Sequence, residues 1–190
     1  DFLFLWDNST SSFFINDETK DALNNTIDMV SSRFDFHIMV APLIADGNDG
    51  AFFISENPEG LSSNVISGLK IERSLASIKI SQLPIATTAG TRESGLERAV
   101  EILKNNSSNG VFRKNAYTMI VVMSNEDDTY NNPFATPVGG GQKTEYFNEQ
   151  LEELLCIRGN HTGACPGTTL DSQQMRFMSI VAHDQPGTSG

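Results

Sequence analysis

Four short apolar runs set the limits on what this chain can become. They are Phe2 to Trp6, the stretch from Phe34 to Val40 that begins by alternating and ends fully apolar, Tyr117 to Met123, and Phe177 to Ala182. A short apolar run closed by a polar turn is the pattern of a strand buried on both faces, as in a parallel sheet. The stretches between carry the helical period. Asp17 to Ser32 spaces Ala22, Leu23, Ile27, Met29 and Val30 among charged residues, with Asp17 placed to cap the helix. Gly95 to Lys104 sets Leu96, Ala99, Val100, Ile102 and Leu103 on one stripe after Thr91-Arg92-Glu93-Ser94, and Glu145 to Ile157 turns Phe147, Leu151, Leu154 and Leu155 inward. Asp46-Gly47-Asn48-Asp49-Gly50 is dense in turn formers and precedes Ala51-Phe52-Phe53-Ile54, which predicts a hairpin. Glu56 to Leu83, with Val65, Ile66, Leu69, Leu75, Ile78 and Ile80, reads as one or two short helices. The expected fold is α/β: a three-layer, mostly parallel central sheet with helices on both faces and one antiparallel edge hairpin. The 190 residues suit one such domain, 1–190, better than two.

In such sheets ligands bind at the carboxyl ends of the strands, where the strand order reverses. The candidates are therefore the Asp7 loop, the loop before the Gly95 helix, and Ser124 to Asp128, all rich in oxygen ligands. Asp7-Asn8-Ser9-Thr10-Ser11 has the form Asp-x-Ser-x-Ser directly after the first run. Alternate residues of an extended loop project to one side, so a carboxylate and two hydroxyls can converge on a point. A hard cation such as magnesium wants six oxygens and gives up its waters reluctantly. Ser9 and Ser11 would bind it directly, while Asp7 accepts hydrogen bonds from bound waters or from the serines. Mostly neutral ligands leave the ion with positive charge, so it seeks a carboxylate from outside. Taken alone the motif is also that of a capped loop; its place after a buried strand, beside two more oxygen-rich loops, favours the cation.

Over residues 1–40 and 86–126 the sequence resembles the von Willebrand factor type A family, integrin inserted domains included. That family opens with an apolar strand running into Asp-x-Ser-x-Ser, as at Phe2 to Ser11. Its second metal loop carries a threonine before a helix, matched here by Gly90-Thr91 ahead of Gly95-Leu96-Glu97-Arg98-Ala99. Its third loop usually reads Thr/Ser-Asp-Gly, where this chain has Ser124-Asn125-Glu126: Asn125 stands in place of aspartate and Glu126 in place of glycine. Asn125 can still offer a carbonyl oxygen, with Glu126, Asp127 or Asp128 supplying a carboxylate. The resemblance implies a metal-ion-dependent adhesion site. Mg2+ (or Mn2+ or Ca2+) would be held by Ser9, Ser11 and Thr91, with Asp7, Asn125 and Asp127 around it. The partner would be a protein or surface ligand presenting an acidic residue, met outside the cytoplasm. The family has a further helix and strand after the one at Phe177 to Ala182, so the expected domain is trimmed, completed by another segment, or cut short.

Other classes fit less well. A net charge of −11 disfavours nucleic acid and anionic membranes, and no apolar run approaches the roughly 20 residues that cross a bilayer. The start at Asp1, without methionine or targeting segment, reads as a processed mature form or a chain cut close to the first strand. Thr91 can also be a helix cap, Glu126-Asp127-Asp128 a solvated turn, and Asp46 to Gly50 lacks the ligand spacing of an EF-hand. His37, His161 and His183 are dispersed without zinc spacing, His37 packing beside the second strand. There is no Gly-x-Ser-x-Gly elbow, no Asp-x-Asp pair and no glycine-rich loop at Asp7. Cys156 and Cys165 suit two free thiols in a cytosolic chain or a short disulfide staple in an oxidising compartment, and the polar loop between them favours the staple. The sequons at Asn8, Asn24, Asn105, Asn106 and Asn160 fit an Asn- and Ser-rich bacterial sequence better than a glycosylated one. The expectation is a binding module and not an enzyme. A scaffold with a degraded metal site, or a metal-dependent hydrolase, stands as the alternative.

Overall fold

The computed structural model describes residues 1–8, 16–55, 70–72, 76–77, 80, 94–106, 108–113, 116–124, 148–154, 156–157 and 175–181. Strands β1 (Phe2–Trp6), β2 (His37–Pro42), β3 (Phe52–Ser55), β4 (Lys70–Glu72), β5 (Thr118–Ser124) and β6 (Met175–Val181) form one sheet in the order β4-β3-β2-β1-β5-β6. Helix α1 (Asp17–Ser31) follows β1 and helix α2 (Gly95–Asn105) precedes β5. All pairings are parallel except β2 with β3, so the architecture is α/β with a mostly parallel sheet. Among the described residues no helix is long and apolar enough to cross a membrane.

Burial explains why the first three apolar runs become strands; β6, expected to be buried on both faces, leaves Met178 and Ile180 exposed. Side chains of a strand alternate between faces, and in β1 Leu3 and Leu5 join one core cluster while Phe4 and Trp6 join another. The first cluster includes Leu96, Ala99, Ile102 and Leu103 of α2, and the second Leu23, Ile27 and Val30 of α1. Each leucine, isoleucine, valine or phenylalanine among them contributes about 1.5–3 kcal/mol when fully withdrawn from water. Leu154, in the helical residues 148–154, joins the α2 cluster with Leu151 packed against it; Lys104 of α2 pairs with Glu153. Phe147 and Leu155 lie outside the described residues.

Four further expectations need correction. The antiparallel strand is not at the edge: β4 pairs parallel with β3 (Ile54 opposite Ile71) and takes the backbone row that β3 would otherwise leave open. That strand falls where short helices were expected, although residues 76–77 and 80 are helical, with Ala76 and Ile80 buried. β2 begins at His37 and not Phe34. Phe34 N–H closes the turn after α1 on Val30 O, and Arg113 takes both the carboxylate and the carbonyl of Asp35. Phe34 is left 63% exposed. Helix α1 is capped by Asn16, whose Oδ1 accepts from Thr19 N–H at 2.8 Å, and Asp17 lies inside the first turn. The Asp46 to Gly50 turn is as expected, with left-handed Gly47 (φ 56°) and Gly50 (φ 67°).

Candidate metal centre

The chain leaves β1 through α1 to β2 on one side, and β5 pairs with β1 on the other. The strand order therefore reverses at β1, and the carboxyl ends of β1 and β5 flank the switch point. Asp7 stands there. Its N–H donates to Met123 O at 2.9 Å, carrying the ladder one residue past the strand, and the residue is fully buried. Ser124, the last residue of β5, donates its hydroxyl to Asp7 Oδ2 at 3.1 Å. A buried carboxylate needs donors of this kind to offset its lost hydration.

The next residue, Asn8, is also buried and fastens the Asp7 loop to the end of β2. Its Nδ2 donates to Ile44 O at 3.0 Å, and Ile44 N–H donates back to Asn8 Oδ1 at 2.8 Å. Leu43 N–H adds a bond to Trp6 O at 2.8 Å. Three strand ends are thus stitched together around Asp7.

Helix α2 starts against the same end of β5. A Cβ on Gly95 would lie 2.7 Å from Val122 Cγ1, so only glycine lets the first turn come this close, two residues before Ser124. One turn on, Arg98 is buried: Nε donates to Pro42 O at 3.0 Å and Nη1 to Glu101 Oε2 at 2.5 Å. Glu101 Oε1 accepts from Gly47 N–H at 2.7 Å, so the pair clamps α2 to the β2–β3 connection.

Of the candidate metal residues, Asp7 is the one within the described residues; Ser9, Ser11, Thr91, Asn125 and Asp127 lie outside them, as do Glu126 and Asp128. Among the described residues no group of three or more His, Cys, Asp or Glu could hold a metal ion. What they bring together is Asp7, Ser124 and the amino-terminal end of α2. Cys156 is disulfide-bonded, and Cys165, outside the described residues, is the chain's only other cysteine. His37 lies far from this end of the sheet in register: it begins β2, its Nδ1 2.9 Å from Val111 O and its ring edge-on to Phe53.

Sequence reasoning missed Asn8 and Arg98. Asn8 is the unspecified position of Asp-x-Ser-x-Ser, and nothing local marks it. Arg98 could have been found: positions 95, 98, 99, 102 and 103 share one helical face, and the arginine sits within that apolar stripe. No protein-family model matches the sequence, and no curated protein matches it significantly.

Proposed function

We propose that this chain is a metal-dependent recognition domain, a three-layer α/β fold of the von Willebrand factor type A kind that binds an acidic residue of a protein or surface partner. Mg2+, or Mn2+ or Ca2+, would be held by the hydroxyls of Ser9, Ser11 and Thr91, with Asp7, Asn125 and Asp127 orienting the bound waters. The observation that carries the reading is the buried Asp7 carboxylate at the reversal of strand order, joined to Ser124 of the neighbouring strand. Gly95 supports it by bringing the residue after the second loop against the same strand end. The ion would serve recognition and not turnover: a cation with mostly neutral ligands keeps a charge for an incoming carboxylate. The disulfide at Cys156 supports an extracytoplasmic setting.

Titration calorimetry tests this. Mg2+ or Mn2+ should bind saturably to the native chain, and Ser9→Ala and Asp7→Asn should each abolish the heat. No binding to the native chain would reject the proposal. A second reading rests on Asn125 and Glu126 standing where the family has aspartate and glycine: a scaffold whose metal site has decayed. Partner binding indifferent to EDTA would select it.

A further inference from the structure

Asn109–Gly110 is the chain's only Asn–Gly pair. An asparagine is lost when the backbone nitrogen of the next residue attacks its side-chain Cγ, and glycine, without a Cβ, shields that nitrogen least. The fold closes this route at several other asparagines. The N–H after Asn48 donates to Asp46 O and the N–H after Asn105 to Ile102 O. Asn24 and Asn25 lie within α1, where the next N–H belongs to the helix ladder. Gly110 differs: it is exposed, and among the described residues nothing accepts from its N–H. Asn109 Oδ1 accepts from Val111 N–H at 3.1 Å, which folds the side chain back along the Asn109–Gly110 peptide and draws electrons from Cγ. Its Nδ2 donates at 2.7 Å to Oδ1 of the fully buried Asn106. That same oxygen takes Asn48 Nδ2, while Asn106 Nδ2 donates to Asn48 Oδ1 at 2.8 Å. Asn109 thus props the amide pair that ties the end of α2 to the β2–β3 turn.

We infer that Asn109 is a site of spontaneous deamidation, and that the change loosens the β2–β3 turn from α2. Gly110 N forms a bond to Asn109 Cγ and gives up its proton; the Cγ–Nδ2 bond breaks, and ammonia leaves carrying that proton. Water then opens the succinimide ring at either carbonyl, leaving an aspartyl or isoaspartyl residue at position 109. The new carboxylate sets an acceptor against Asn106 Oδ1 where a donor stood. The isoaspartyl form also lengthens the backbone ahead of Val111. None of the proposed metal ligands takes part, so the inference stands or falls separately from the metal reading. The test keeps the isotope-labelled native chain folded at mildly alkaline pH, with the peptide Ac-Ser-Asn-Gly-Val-NH2 alongside as a clock. Samples are mapped by tandem mass spectrometry and followed by NMR. Asn109 should convert before Asn24, Asn25, Asn48 and Asn105. The Asn48 side-chain amide should shift in step with conversion, as should the His37 ring, whose Nδ1 lies 2.9 Å from Val111 O. Asn109→Asp should show the Asn48 shift from the outset. Asn109 still intact when the peptide is fully converted, earlier conversion of any of those four, or conversion with the Asn48 signals unmoved would each overturn the inference.

Discussion

Asn8 shows how much one amide can decide. Both ends of its side chain bond to the backbone of the half-buried Ile44, so truncation takes away the partners of that N–H and C=O. Asn8→Ala should therefore lower stability by about 1–3 kcal/mol, read from urea unfolding; an unchanged midpoint would remove Asn8 from this role. The same burial bears on the sequons. Asn106 is fully buried with Nδ2 donating to Asn48 Oδ1 and Ile102 O, so glycans on Asn8 or Asn106 are incompatible with this fold. His37 supplies a pH dependence. Burial lowers its pKa, with Arg113 acting the same way and the bond to Val111 O opposing both. Below the ordinary value near 6.5 the unfolded chain takes up a proton that the folded one resists. Stability complete above that value is thus lost as pH falls towards the lowered pKa. Melting temperatures of His37→Asn between about pH 7 and 5 should fall less steeply than those of the native chain; equal slopes would assign the acid sensitivity elsewhere.

At the scale of elements, α2 approaches β5 closely at Gly95. Alanine is favoured over glycine by about 1 kcal/mol inside a helix, yet Gly95→Ala sets a methyl 2.7 Å from Val122 Cγ1. The overlap should win, costing about 1–3 kcal/mol in chemical denaturation. Adding Val122→Ala removes the obstructing methyls, so the two changes should couple in a double-mutant cycle. Additive losses would refute the contact. The same elements show what can be read from sequence. β1, β5, β6 and α2 were legible because largely apolar runs and a five-residue stripe leave few alternatives. β4 was not, because Lys70-Ile71-Glu72 has one apolar residue in three and is recruited by the open backbone of β3. The start of β2 was misread because Phe34 is apolar but is drawn into the turn behind α1, a tertiary effect of Arg113 on Asp35. At the site, Asp7 followed from its position after a buried strand. Asn8 and Arg98 act on backbone carbonyls distant in sequence, and pairing of that kind leaves no local pattern beyond the helical face on which Arg98 lies.

At the scale of the whole molecule, the topology and the charge make competing demands on any metal experiment. The proposed function puts a cation at the reversal of strand order, between the ends of β1 and β5. A chain of net charge −11 is also stabilised by any salt that screens its self-repulsion. A rise in melting temperature with MgCl2 therefore means little unless the two causes are separated. Specific binding stabilises by RT ln(1 + [L]/Kd), about 2.7 kcal/mol at a hundredfold excess over Kd. It keeps growing by the logarithm, whereas screening levels off as the Debye length shrinks. Asp7→Asn keeps an oxygen for the Ser124 hydroxyl and leaves ten of the eleven net charges in place, so it should preserve the screening response and lose the specific one. Thermal unfolding of both chains in MgCl2 and in NaCl of equal ionic strength should show an excess stabilisation by Mg2+ in the native chain alone. Parallel curves for the two salts would mean that the acidic surface, and not a metal centre at Asp7, answers to the ion.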